Sequence, residues 1–154
     1  MEIKKLEKRP SIGQDKKLND KFVHFEKLIN ELKKKKIQAK IVSSINQHIA
    51  AVNSFAGTNK DFRTQIRKSK NGILKLINKE LKLVPKKFYL FRWMSMGISI
   101  FGIPLGVVIA TSTKIWGLFG VGFPIGVIIG MAIGAGMDKK AFKEGRQLDI
   151  IAVA

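Results

Sequence analysis

Apolar residues in the first 87 positions come singly or in pairs at helical spacing, whereas from residue 93 to 137 they run with a single charged interruption, Lys114. The first regime holds three seams. Leu18, Phe22, Phe25, Ile29 and Leu32 alternate spacings of four and three, which predicts a helix from about Asp15 to Lys35. Ile41, Ile45, Ile49, Val52 and Phe55 form a second seam that ends before Gly57. The two seams are out of phase, and the run Lys33 to Lys36 sits at the slip, so the helix breaks there. A third helix is predicted from about Asn59 to Val84, with Phe62, Ile66, Ile73, Ile77 and Val84 on one face. Thr58, three residues before Asp61, is its start signal and Pro85 its stop. Such helices can close a small bundle, or align as a coiled coil if several copies assemble.

The second regime predicts a membrane hairpin. Trp93–Thr111 and Ile115–Met137 contain no ionisable side chain, and each is long enough at about 1.5 Å per residue to cross a hydrocarbon core of about 30 Å. Two adjacent spans of this kind in a soluble protein would need a far larger body around them. Lys82, Lys86, Lys87 and Arg92 precede the first span and Lys139, Lys140, Lys143 and Arg146 follow the second, while the turn Thr111–Lys114 offers only Lys114. The positive-inside rule then places both termini in the cytoplasm, in a multi-pass protein of the inner (cytoplasmic) membrane. Phe88, Tyr89, Phe91 and Trp93 fit an inner aromatic belt and Trp116 an outer one. The expected membrane-interface residues are Lys86, Lys87, Tyr89, Arg92, Trp93, Trp116, Lys139 and Lys140.

Within the spans lies a repeat: Phe101 to Ala110 reads FGIPLGVVIA and Val121 to Gly130 reads VGFPIGVIIG. Gly102, Pro104 and Gly106 match Gly122, Pro124 and Gly126. Folding the chain at Thr113 puts Gly102 level with Ile125 and Gly106 level with Val121, so the two motifs meet as an inverted pair. Gly102, Gly106 and Ala110 make a small row on the first span, and Gly122, Gly126, Gly130 and Gly134 make one on the second. Residues four apart share a helix face, and the loss of side chains lets another backbone approach closely. These rows are the expected helix-packing residues, used either within one hairpin or between copies. Pro104 and Pro124 each lack a backbone donor and are expected to kink their helices. No acid, base or amide accompanies them in the spans.

The Gly-rich second span ends in the charged stop Met137-Asp-Lys-Lys-Ala-Phe-Lys-Glu-Gly-Arg-Gln-Leu148. Over about residues 119–148 the chain resembles the bacterial glycine-zipper small membrane proteins. The resemblance implies a membrane-embedded, closely packed hairpin and transfers no activity.

The chain therefore reads as all-α, about three amphipathic cytoplasmic helices followed by an antiparallel two-helix transmembrane hairpin. Its expected divisions are a flexible basic arm (1–14), a cytoplasmic helical region (15–87), the hairpin (88–137) and a cytoplasmic tail (138–154). No apolar stretch precedes Phe88, so the first span is expected to act as an uncleaved anchor. The tail's apolar end, Leu148 to Ala154, is expected either to dock or to fray.

Charge narrows the partners. The formal net charge is +18, almost all of it before Trp93, which favours anionic surfaces. Lys outnumbers Arg about five to one, and aromatic residues interleaved for base stacking are missing, so nucleic acid is not the expected partner. Anionic lipid, a cytoplasmic protein partner and further copies of the chain are. Cysteine is absent, which removes disulfides and thiolate sites. His48 lies on or beside the second seam and His24 off the first, and no metal-ligand spacing, nucleophile elbow or phosphate loop occurs. No enzyme activity, cofactor, metal or small-molecule substrate is expected. The expected function is a membrane-anchored scaffold that self-associates through its Gly faces; an oligomeric pore-forming or membrane-perturbing protein is the alternative.

Overall fold

A computed structural model describes residues 2–9, 12–13 and 15–151. Met1, Pro10, Ser11 and Gln14 of the expected arm, and 152–154 of the tail, lie outside the described residues. The chain is helical for most of its length and divides into two compact units, residues 1–84 and 85–154.

The first unit holds α1 (Lys16–Lys33), α2 (Ala39–Asn53) and α3 (Asn59–Leu81). The starts of α1 and α3 and the end of α3 have local causes. The Asp15 carboxylate accepts the Leu18 N–H at 3.1 Å, an N-cap that satisfies one of the donors a first turn leaves open. Thr58 caps α3 in the same way, accepting from the Asp61 N–H at 3.3 Å and donating to the Asp61 carboxylate at 2.8 Å. Lys82 adopts a left-handed φ of 54° and ends α3.

The predicted seams become the core except at two ends: Phe55 lies past α2 and is only half-buried, and α3 stops at Leu81, so that Val84, though buried, is not on its face. Phe22, Phe25, Leu28 and Leu32 of α1, Ile45, Ile49 and Val52 of α2, and Phe62, Ile66, Ile73 and Ile77 of α3 are all buried. Ser69, buried between Ile66 and Ile73, keeps the α3 face continuous without adding bulk. α3 packs against both α1 and α2. The His48 ring lies over Gly72, where any side chain would meet it, and His24 is exposed.

Residues 2–9, expected as a flexible arm, are held against α2. Asn46 donates to the Glu2 carbonyl and accepts the Lys4 N–H, both at 2.9 Å. Asn53 repeats the arrangement one step along, with the Lys5 carbonyl at 3.1 Å and the Glu7 N–H at 3.2 Å. Side-chain amides thus supply the backbone pairing that a sheet would otherwise give.

The second unit carries two long apolar helices. The first runs from Phe88 to Thr113 as α4 (Phe88–Gly97), one π-helical turn (Ile98–Gly102) and α5 (Ile103–Thr113). The second runs from Trp116 as a 3₁₀ segment to Val121 and continues as α6 (Gly122–Lys143). At 26 and 28 residues both are long and apolar enough to cross a membrane, and only 22% of each apolar stretch is buried. The first extends past the expected span 93–111 at both ends, and the second starts one residue after the expected 115 and runs on past 137. Two residues join them: Lys114, with a left-handed φ of 58°, and Ile115. α6 ends where Gly145, at φ 67°, closes a Schellman turn: the Gly145 N–H reaches the Phe142 carbonyl and the Arg146 N–H the Ala141 carbonyl, each at 3.0 Å.

A two-stranded sheet of β1 (Val84–Lys86) and β2 (Gln147–Ile151) corrects the purely helical expectation and shows residues 147–151 of the tail paired. Lys86 and Asp149 form an ion pair across the two strands.

Candidate helix-packing site

The two long helices bury a row of small residues and expose many of their large apolar ones. Among the described residues of these helices, the buried positions are Gly97, Gly102, Gly106, Ala110, Gly122, Gly126, Gly130, Gly134, Asp138 and Ala141. Ile100, Ile103, Val107, Val108, Phe123, Ile128 and Met131 are exposed, Ile128 by 66%. A water-soluble core has the opposite distribution.

Six of the seven predicted packing positions stand against the other long helix. A Cβ on Gly102 would stand 3.0 Å from the Gly122 carbonyl oxygen, and one on Gly126 would stand 2.6 Å from the Gly97 carbonyl oxygen and 2.7 Å from Gly102 N and Cα. A Cβ on Gly106 would strike the Phe119 carbonyl, on Gly122 the Gly102 carbonyl, and on Gly130 the Trp93 carbonyl. On Gly134 it would lie 2.5 Å from Leu90 Cα. Ala110 is fully buried. The obstacles are mainly backbone atoms, so the helices cannot accommodate a larger residue by turning a rotamer. The rows therefore meet within one chain. Gly102 faces Gly122, Phe123 and Gly126, within a residue or two of the register expected from a fold at Thr113.

Gly97 joins this interface although it stands five residues before Gly102. In an unbroken α-helix a five-residue step turns well away from the starting face. The π-helical turn Ile98–Gly102, in which the Ile103 N–H bonds to the Ile98 carbonyl, absorbs the additional residue and returns Gly102 to the face of Gly97.

That turn also prepares the chain for Pro104. Each proline sits in the first turn of an α-helical segment, Pro104 in α5 and Pro124 in α6, where a missing N–H costs little. A π-helical turn precedes the first and a 3₁₀ segment the second. Thus the sequence repeat adopts two different backbone solutions, both at the expected points of irregularity.

Asp138 ties the two helices together at the end away from their turn. Its carboxylate accepts the Tyr89 N–H at 3.2 Å and the Leu90 N–H at 2.9 Å. α4 has no cap of its own, because its N-cap residue Lys87 is left-handed and makes no side-chain cap bond. An acid on α6 therefore serves as the cap of α4, favoured also by the positive end of that helix.

The expected interface residues gather around this end, with one exception. Lys86 pairs with Asp149, the Arg92 guanidinium lies 6.0 Å from the Phe88 ring centroid, and Phe88 and Tyr89 meet edge to face at 5.2 Å. Lys87, Lys139 and Lys140 are exposed, and Trp93 is half-buried. Arg146 donates from Nε to the Glu144 carboxylate at 2.6 Å. That hydrogen bond, followed by one to the Tyr89 phenol, raises its pKa above the usual guanidinium value. Trp116 stands at the opposite end, 71% exposed.

Sequence reasoning missed Gly97 and the capping role of Asp138, and took Arg146 only as a flanking charge without its Glu144 and Tyr89 partners. For Asp138 the signal was an acid directly after an uncharged span that ends beside a lysine cluster. Among the described residues no three His, Cys, Asp or Glu side chains come together as a metal site, and no buried side-chain polar atom lacks a partner. The arrangement holds two backbones in contact. Comparison with protein-family models, with curated proteins and with solved structures finds no match to this chain.

Proposed function

We infer that the chain is a membrane-anchored interaction protein, its long helices forming an antiparallel transmembrane hairpin and its basic helical unit working at the cytoplasmic face of the inner membrane. One observation carries this reading: the two helices turn glycine backbone inward and branched apolar side chains outward. Lipid solvates Ile and Val as well as a neighbouring helix does, so in a bilayer the close packing of small faces is what holds two helices together. In water the same surface would be a large exposed apolar patch.

The hairpin is an anchor in this reading. Its Gly rows are filled by each other, so contacts between copies or with a cytoplasmic protein partner fall to other surfaces. The basic unit is tethered to the anchor by the chain itself, and each Lys close to an anionic leaflet contributes about 1 kcal/mol.

The chain has no cysteine, which makes topology directly measurable. Single cysteines at Lys4, Lys114 and Lys139 in oriented inner-membrane vesicles should give one labelling side for positions 4 and 139 and the other for 114 with an impermeant maleimide. Labelling of all three from one side, or extraction of the protein by alkaline carbonate, would contradict the hairpin. Amine-reactive labelling of the basic unit should fall in vesicles rich in phosphatidylglycerol and recover at high salt. Unprotected lysines at low salt would remove the lipid contact. Conductance across these vesicles should stay at baseline; a measurable current would instead favour the pore-forming alternative.

A further inference from the structure

The segment 2–9 is bound to α2 as a ligand is bound, through contacts that read its backbone. Asn46 and Asn53 each present an amide whose oxygen accepts an N–H and whose nitrogen donates to a carbonyl two residues earlier. The spacing is matched on both sides. Asn46 and Asn53 stand seven residues apart on α2, about 10.5 Å of helix, and the two bracketed triplets, 2–4 and 5–7, are offset by three residues, about 10 Å of extended chain.

The side chains of the segment follow the same step of three. Ile3 and Ile12 are buried and Leu6 and Arg9 partly so, while Glu2, Lys4, Lys5, Glu7 and Lys8 between them are exposed. Arg9 places its guanidinium carbon 4.2 Å from the Phe62 ring centroid and 5.9 Å from that of Phe55, and the two rings are stacked. Asn46 is only 6% exposed, so its amide is built into the groove and is costly to leave unpaired. Two amides, an apolar seat and an aromatic pair together recognise an extended segment with inward residues apolar, apolar, Arg.

We propose that α2 is an exchangeable docking rail whose second occupant is segment 2–9 of another copy of this chain. The contacts are the same whether the segment arrives from its own chain or a neighbour's, so exchange leaves them unchanged in number and kind. What differs is the connection to α1, and with it the effective concentration of the segment, which a crowded array of copies raises for the incoming one. This provides a contact between copies that the glycine faces, occupied within each hairpin, do not. It concerns the first unit alone and stands whether or not the second unit spans a bilayer.

The test uses the full chain in proteoliposomes. Lys4→Cys carries a donor dye on one population and Lys40→Cys an acceptor on another, so energy transfer reports only pairs of different copies. Transfer should rise with the density of protein in the membrane. Ile3→Asp and Arg9→Glu in the donor population leave α2 untouched and should abolish it, as should an excess of a synthetic peptide of residues 1–13. Absence of transfer at every density overturns the exchange, and so does transfer indifferent to the donor-side substitutions and to the peptide. Such indifferent transfer would assign association between copies to another surface.

Discussion

The Asp138 carboxylate takes the main-chain N–H of Leu90 at 2.9 Å, so that a residue near the end of α6 caps the beginning of α4. A helix N-terminus leaves several donors open, and here the acceptor comes from 48 residues away. The acid is therefore a tie between the two helices at the end away from their tight turn.

Asp138→Ala should accordingly destabilise the helix pair by about 1–3 kcal/mol, since it leaves the Tyr89 and Leu90 donors without their acceptor. Asp138→Asn retains one acceptor oxygen and should lose less. Trp93 and Trp116 report the unfolding of the pair by fluorescence during a detergent denaturation. Equal stability of wild type and the alanine variant would show that the tie contributes nothing.

The glycines divide into those that are obligatory and those that are not. A Cβ at Gly126 would meet backbone at 2.6 Å, whereas at Gly120 and Gly136 it would meet nothing within 4 Å. Gly126→Ala should therefore push the helices apart at a cost of about 1–3 kcal/mol. Gly120→Ala and Gly136→Ala should be neutral or slightly stabilising, alanine being the better helix former. The same fluorescence denaturation separates the two classes, and uniform effects at the three positions would refute the contact map.

How far the sequence carried the structure follows from how local each signal was. The four-residue glycine rows, the seams of Leu18 to Leu32 and Ile41 to Val52, and the Thr58 cap depend on neighbours within a turn or two, and each is present. Gly97 was hidden because its five-residue step matches no α-helical face until a π-helical turn is known. The strand 147–151 and the Asp138 cap depend on partners about 50–60 residues away, which no local pattern encodes. Segment 2–9 was hidden because its step of three, Ile3, Leu6, Arg9 and Ile12, belongs to neither helix nor strand periodicity and lies among lysines.

Lys70 on α3 gives the first unit a pH dependence of its own. Burial, and secondarily the charge of Lys21 on α1, lowers its pKa below the ordinary lysine value. Between that lowered value and about 10.4 the unfolded chain holds a proton that the folded unit has released, so stability rises with pH through this window. Below it the folded unit bears the full cost of the charge. Lys70→Met should stabilise the unit at pH 7 by less than about 1 kcal/mol, because the site is half-open to water, and should flatten the alkaline rise. Urea unfolding read from a dye at Lys75→Cys measures both effects, and an unchanged alkaline slope in the variant would exclude Lys70 as its source.

The π-helical turn serves two purposes: it restores the face of Gly97 and it opens the helix ahead of Pro104. These can be separated by deletion. Removing Ser99 shortens the Gly97 to Gly102 interval to four residues, which an ordinary α-helix places on one face. Pro104 then lies inside a continuous helix, where its ring and missing N–H cost about 3 kcal/mol. The Ser99 deletion alone should therefore destabilise the helix pair, and the deletion combined with Pro104→Ala should recover most of the loss. Deleting Val108, in regular helix with no π-helical turn at that point to absorb the change, should displace Ala110 from the interface, and Pro104→Ala should not rescue it. Failure of Pro104→Ala to rescue the Ser99 deletion would mean that the turn is required for the register of the glycines and not for the proline.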